Sequence, residues 1–267
     1  MRVPRPGILN IPARIPNNHT KDMTSKIDVF IETIPKVLRS LQPHALVVHD
    51  LKLLYFPIPK AASTSILRYF LEHAFMKNQT IPGGLTPNNI HGYYAYPFIS
   101  LRESMKLQKQ GYRSFGVKRD PEKRIASCYR DKILDSKLNG QPLRSGFDRY
   151  NRLLGKRIFH TDMSYRQFVL TISKIPDFLS DEHFRSQYRF LPQRGGAILL
   201  DRLLSLENFG NEADVMCEEF GIPKFKRGKA NVTLATDDAG QSPRFESEEV
   251  SEIVRNRYGK DYLLLGY

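Results

Sequence analysis

The chain of 267 residues is long enough for one large domain with a sizeable core, and its 40% hydrophobic, 26% charged and 11% aromatic residues exclude a disordered chain. No run approaches the ~18 consecutive apolar residues of a membrane span, residues 1–14 are proline-broken without the apolar core of a signal peptide, and Cys128 and Cys217 are too few for a disulfide framework. A cytoplasmic, non-exported protein is therefore expected, and 41 Lys+Arg against 28 Asp+Glu, a formal +13 spread along the chain, points to an anionic partner held in a pocket or groove.

Residues 1–20, rich in Pro and Asn, read as an irregular arm. The spacing of Ile27, Phe30, Ile31, Ile34, Leu38 and Leu41 predicts a helix within 21–44, with Pro35 as the discordant residue. Two short apolar runs, 45–49 and 53–58, predict strands, and Ile66, Leu67, Phe70, Leu71, Ala74 and Phe75 form a helical stripe. A tyrosine-rich loop is expected over 80–97, a helix over 98–108 and a strand over 114–118. Asp120 and Pro121 predict an N-cap and first helical position, with Ile125, Cys128, Tyr129 and Ile133 on the buried face. A basic, glycine-interrupted stretch covers 137–157. Helices are predicted over 164–173, 208–220 and 246–257, a strand over 197–200, and a loop over a site at 224–244. Strands alternate with helices and no repeat is visible, so the fold class is α/β with a central, mainly parallel sheet, in a single domain spanning 1–267.

Two strand-to-helix junctions carry the chemistry. At Pro59-Lys60-Ala61-Ala62-Ser63-Thr64-Ser65 a loop opens a helix, aiming backbone N–H groups and the positive helix end at whatever sits above, which suits phosphate or sulfate. Lys60 adds a cation and Ser63, Thr64 and Ser65 add hydroxyls; the plainer alternative is that Ser63 caps the helix and Lys60 is solvated. No Walker A glycines are present, which disfavours a kinase-like nucleotide enzyme. Lys118-Arg119-Asp120-Pro121 repeats the strand-to-helix pattern, with Ser127 about two turns into the helix at ~3.6 residues per turn. Arg119 and Ser127 can clamp one phosphate from two sides, whereas Ser127 alone reads as a small helical residue.

Together these junctions resemble the PAPS-dependent sulfotransferases, in the carbohydrate branch (sulfotransferase family 2 type) that includes the chondroitin and heparan 2-O enzymes and bacterial relatives. P-K-A-A-S-T-S at 59–65 is similar to the 5′-phosphosulfate loop, and R-D-P-E-K-R-I-A-S-C-Y-R-D-K at 119–132 to the 3′-phosphate motif, whose arginine and serine fall on Arg119 and Ser127. Asp181-Glu182-His183-Phe184-Arg185-Ser186-Gln187 and the closing Tyr258, Asp261, Gly266 and Tyr267 are weaker echoes, so the resemblance runs over about 53–267 and leaves 1–44 uncovered.

The resemblance implies a three-layer sandwich related to P-loop kinases and sulfuryl transfer from PAPS as co-substrate to an acceptor hydroxyl, with no metal required. It also implies that Lys60, Ala61, Ala62, Ser63, Thr64, Ser65, Arg119 and Ser127 bind PAPS, with Lys60 neutralising charge on the leaving group. The acceptor must lose a proton. His91, in a segment similar to the heparan 2-O H-G-H-x-S-Y with Tyr93 replacing the second histidine, is the first candidate base, His183 the second, and Glu182 a carboxylate alternative. The expected acceptor is a glycan or glycolipid, with 137–157 on the rim of its cleft. A non-catalytic binder of an anionic polymer is the alternative, although no nucleic-acid motif is present and no nucleic-acid partner is expected.

Overall fold

The computed structural model describes residues 43–76, 98–143, 145–225 and 247–267. The expected arm, the helix expected over 21–44 up to its last two residues, the 80–97 loop with His91, and residues 226–244 lie outside the described residues.

The main sheet has five strands: β1 (His44–Val48), β2 (Leu53–Phe56), β3 (Phe98–Ser100), β4 (Arg113–Lys118) and, later in the chain, β7 (Arg202–Ser205). Their spatial order is β3-β1-β2-β4-β7. β2 pairs parallel with β4 and β4 with β7, while β1 pairs antiparallel with both β2 and β3, so β1 alone of these five runs against the rest. The mainly parallel sheet expected from the alternating pattern is present. β2 has all four residues fully buried, as a central parallel strand covered on both faces requires.

Side-chain alternation sends the strands to two cores. Leu53, Tyr55, Phe115, Val117 and Leu204 pack on Ile66, Leu67 and Phe70 of α1 (Ser63–Met76) and on Phe209, Ala213, Met216 and Cys217 of α7 (Phe209–Phe220). Leu54 and Phe56 face the opposite way, onto Phe190, Leu191 and Leu265. On that side Gly116 lets the layers close in: a Cβ there would lie 3.1 Å from Leu191 Cδ2 and 3.2 Å from Leu200 Cδ1. A third apolar cluster joins α3 (Pro121–Tyr129), which α4 (Asp135–Leu138) follows in the chain, to α6 (Tyr165–Ser173) and α8 (Glu248–Arg257) around Phe147 of α5 (Ser145–Leu154), Phe159 and Phe184.

Two expectations need correction. The helix expected over 98–108 starts with a strand, because Phe98, Ile99 and Ser100 pair with Leu46, Ala45 and His44. The helix, α2 (Leu101–Lys109), begins only where Ser100 and Glu103 close a capping box, with the Ser100 N–H donating to Glu103 Oε2 at 2.9 Å. The strand expected over 197–200 is not in the main sheet. Gly195 and Gly196, at φ 58° and 82°, turn the chain so that β6 (Ala197–Ile198) pairs back on β5 (Gln193–Arg194), and the sheet strand is β7. Among the described residues no helix is long and apolar enough to cross a membrane.

Candidate functional site

β2 and β4 are adjacent and parallel, so their C-terminal ends lie side by side and deliver both junctions to the same edge of the sheet. After β2 the chain enters a loop in which Lys60 and Ala62 have φ 67° and 61°, a left-handed backbone in two residues that carry a Cβ. Ala62 occupies the N-cap position of α1, with its carbonyl taking the N–H groups of Ser65 and Ile66 at 3.0 and 3.1 Å. Its methyl side chain offers no acceptor to the first turn, so this helix end lacks the side-chain cap that Ser or Asp would give. Ser63 is the first helical residue and not the cap.

The second junction is built differently. The Arg119 N–H donates to Gln187 Oε1 at 3.0 Å, the Asp120 N–H to Glu207 Oε1 at 2.8 Å, and the Lys123 N–H to Asp120 Oδ1 at 2.9 Å. Asp120 and Pro121 are the cap and first helical residue, as expected. With these N–H groups occupied by side chains, the backbone here does not repeat the first cradle, and an anion would be held by the side chains of Arg119 and Ser127. The two junctions touch: Arg119 Nη1 donates to the Lys60 carbonyl at 3.3 Å.

Arg124, which sequence reasoning passed over, fastens the site. Its side chain is 1% exposed, and Nε donates to the Pro59 carbonyl at 2.9 Å, Nη1 to that of Arg185 at 2.9 Å and Nη2 to that of Glu182 at 3.2 Å. One guanidinium thus draws the 182–185 segment against the loop that carries Lys60. The signal was present: Arg124 lies on the same helical stripe as Pro121, Ile125 and Cys128, where a charge is out of place unless it has buried partners. The weaker echoes of the resemblance turn out to be the supports behind the junctions. Gln187 Nε2 donates to the Arg119 carbonyl at 2.8 Å, Asp261 accepts the N–H groups of Gln187 and Tyr188 at 2.8 and 2.9 Å, and the Tyr258 hydroxyl donates to the Phe184 carbonyl at 2.6 Å. Burial pushes the Asp261 carboxyl up to about 6 against the pull of those two N–H groups.

Charged side chains converge on the first loop. Lys60 Nζ lies 3.3 Å from Asp131 Oδ2, which also takes Lys132 Nζ at 2.9 Å. His183 Nδ1 lies 2.6 Å from Asp181 Oδ1. Burial alone would raise the Asp181 carboxyl, but the hydrogen bonds and charge of His183, with the charge of Lys132, hold it below the usual carboxylate range. In the tautomer whose Nδ1–H donates to that carboxylate, Nε2 is the ring nitrogen left to accept a hydrogen bond. Burial pushes the Cys128 thiol up to about 12, which removes it as a nucleophile. Asp131 and Asp181 stand inside the motifs quoted from the sequence, which give neither of them a role. His91, the first candidate base, lies outside the described residues.

The basic stretch 137–157 folds along a cleft of about 900 Å³ lined by Lys137, Arg152, Lys156, Arg157, His160 and Asp162 among others. Lys137 pairs with Asp162 at 3.3 Å and Arg152 with Asp148 at 3.2 Å. Ser136, which also lines the cleft, donates its hydroxyl to the Lys132 carbonyl at 3.1 Å. Among the described residues no group of three or more metal-ligating side chains occurs.

Comparison with curated proteins and with solved structures gave no match. A model of the sulfotransferase family matches residues 43–267. The match starts one residue before β1 and takes in both junctions, the Arg124 clamp and the supports at 182–187 and 258–261, and so spans every described residue that builds this edge of the sheet: the chain belongs to the sulfotransferase family.

Proposed function

We propose that this sulfotransferase uses PAPS as donor and moves its sulfuryl group onto a hydroxyl of a carbohydrate or glycolipid acceptor. The observation that carries the reading is the tie between the two junctions, in which Arg119 Nη1 reaches the carbonyl of Lys60. A nucleotide with an anionic group at each of two positions on its ribose engages both junctions at once; a nucleotide with one engages a single junction. The residues present fit such a donor: an uncapped helix start with three hydroxyls and an ammonium at 60–65, and a guanidinium with a helical hydroxyl at Arg119 and Ser127. When bound, PAPS supplies the transferable group: the acceptor oxygen bonds to sulfur, the bond from sulfur to the 5′-phosphate oxygen breaks, and that oxygen keeps the electron pair.

The chain's own part is positioning and charge. Lys60 offsets the negative charge that grows on the leaving oxygen. The acceptor proton passes to a histidine, and His183 Nε2, with Nδ1 held by Asp181, has the geometry that supports this role, with His91 the other candidate. The cleft lined by Lys137, Arg152, Lys156 and Arg157 suits an acceptor rich in hydroxyls and negative charge. A cytoplasmic site of action belongs to the same reading and fits two buried free thiols, Cys128 and Cys217.

Thermal shifts test the donor. PAP at ~100 times its Kd should add about 2.7 kcal/mol of stability, with AMP and ATP giving much less. Equal shifts with AMP and PAP would remove Arg119 and Ser127 from 3′-phosphate binding. The base is tested with radiolabelled PAPS and a panel of glycan, glycolipid and phenol acceptors. Loss of about 10² to 10⁴ in rate with unchanged PAP binding is expected for alanine at the true base, and full activity in both His183→Ala and His91→Ala would move the role to a carboxylate, Glu182 first.

A further inference from the structure

The Lys60–Asp131–Lys132 cluster has a construction that anion binding alone does not require. α3 does not continue as an α-helix. It passes into a π-helical turn, Arg130–Leu134, in which the Asp135 N–H bonds back to the Arg130 carbonyl, five residues away. Turns of this kind widen the helix, shift the register of the side chains that follow, and concentrate at functional sites. Here Asp131, from this turn, and Lys60, from the first junction, meet although 71 positions separate them in the chain, and Lys132, the next residue in the turn, closes on the same carboxylate oxygen. The three side chains are 20% (Lys60), 24% (Asp131) and 9% (Lys132) exposed, so the contacts are only partly screened by solvent. Lys60 is therefore held at both ends: its carbonyl by Arg119 at 3.3 Å and its ammonium by Asp131 at 3.3 Å.

A carboxylate this close to a loop that receives an anionic donor opposes binding by like-charge repulsion, so its presence needs a compensating role. Resting on the sulfuryl-transfer reading above, we infer that Asp131 is a positioning residue for Lys60, and that Lys132 tunes it by sharing its charge. Asp131 keeps the Lys60 ammonium in one place and conformation, lowering the cost of ordering a long side chain when negative charge develops beside it. Lys132, largely buried and bound to the same oxygen, draws off part of the carboxylate's charge, so that Lys60 is oriented without being locked into a closed pair.

The two neighbours of Lys60 should then give opposite signatures in donor binding. Asp131→Asn keeps the shape and removes the repelling charge: PAP should bind about 3- to 10-fold tighter, read as a larger thermal shift, while kcat falls 10- to 100-fold, and Asp131→Glu should restore part of kcat. Lys132→Met removes one of the cations that hold this carboxylate, so PAP should bind about tenfold more weakly. Should Asp131→Asn not fold, Lys132→Met and Asp131→Glu still decide the matter. Unchanged PAP affinity in Lys132→Met, or weaker PAP binding together with lost stability in Asp131→Asn, would reduce Asp131 to a structural support. A wild-type protein that PAP does not stabilise would overturn the donor reading as well, whereas wild-type stabilisation with identical shifts in the variants sinks only the role of Asp131.

Discussion

The two junctions look alike in sequence, each a strand end running into a helix with a cation at its mouth, yet they handle their backbone in opposite ways. At 60–65 the chain bends through two left-handed residues, neither of them glycine, and starts α1 behind an alanine that cannot cap it. At 119–123 every N–H described above already has a side-chain acceptor, from Gln187, Glu207 or Asp120. The first junction holds conformational strain and open helix-end charge in reserve for a ligand. The second is finished without one, and only its side chains remain to recognise an anion. A helix N-terminus is thus an anion site only where its own residues leave it one, a property of the cap and not of the strand–helix pattern.

That contrast is tested most severely at Arg124, the side chain that clamps the first junction to the 182–185 segment. Arg124→Met should cost about 3–5 kcal/mol in urea denaturation, because three carbonyls, one of them in a fully buried bond and two partly buried, lose a charged donor together, and should abolish the PAP shift. A stable variant with normal PAP binding would mean that the first junction holds its shape unaided.

The support behind the second junction titrates. The folded-state value of Asp261, raised from 3.8 to about 6, means that the folded protein binds this proton more tightly than the unfolded chain does. Stability from this group should therefore fall as pH rises from about 4 to 6, by about 3 kcal/mol at 1.36 kcal/mol per unit, and stay level above. Asp177 and Asp181, held below the usual carboxylate value, act in the opposite sense, and their contribution is lost only as pH falls further. Asp261→Asn should flatten the pH 4–6 limb of a denaturation series; a limb that persists would assign it to another group.

Arg119→Ala asks whether the second junction works through side chains alone. PAP affinity should drop about ten- to hundredfold, for a charge-assisted contact of roughly 1.5–3 kcal/mol, with little change in fold stability. Retained affinity would return the task to the backbone. The smallest effects have opposite signs: Asp120→Ala should destabilise by about 1 kcal/mol through loss of the cap, and Ala62→Gly should stabilise by up to about 1 kcal/mol by relieving a left-handed alanine. If Ala62→Gly destabilised by as much as Asp120→Ala, the first loop would carry no strain.

Much of this could be read from residues in order. The strands at 53–58 and 114–118, the Asp120 cap and the stripe of Ile125, Cys128, Tyr129 and Ile133 follow from local periodicity and capping chemistry, and the structure holds all of them within a residue or two. The misreadings share one cause, contacts made far along the chain. Phe98, Ile99 and Ser100 form a strand only because β1 is there to pair with, and the sheet strand is β7 because it finds β4, although the apolar 197–200 run has the stronger pattern. The site divides the same way. Lys60, Arg119 and Ser127 stand in recognisable motifs, whereas the clamp of Arg124 and the grip of Asp131 on Lys60 exist only once segments 58 to 71 residues apart are packed together.

The register of the parallel strands also sets an order of events during folding. β2, β4 and β7 enter the sheet from positions near 55, 115 and 203, and the carbonyls that satisfy Arg124 come from 59, 182 and 185. Non-local pairings of this kind must pay for loop closure before any contact rewards it, which places folding towards the slow end, on the order of milliseconds to seconds. On a ribosome the first junction emerges more than a hundred residues before the segment that anchors it, so nascent chains stopped short of residue 190 should carry an unfastened Lys60 loop and a buried-face arginine in search of acceptors. Such chains would be natural clients of chaperones until the last third of the protein is made.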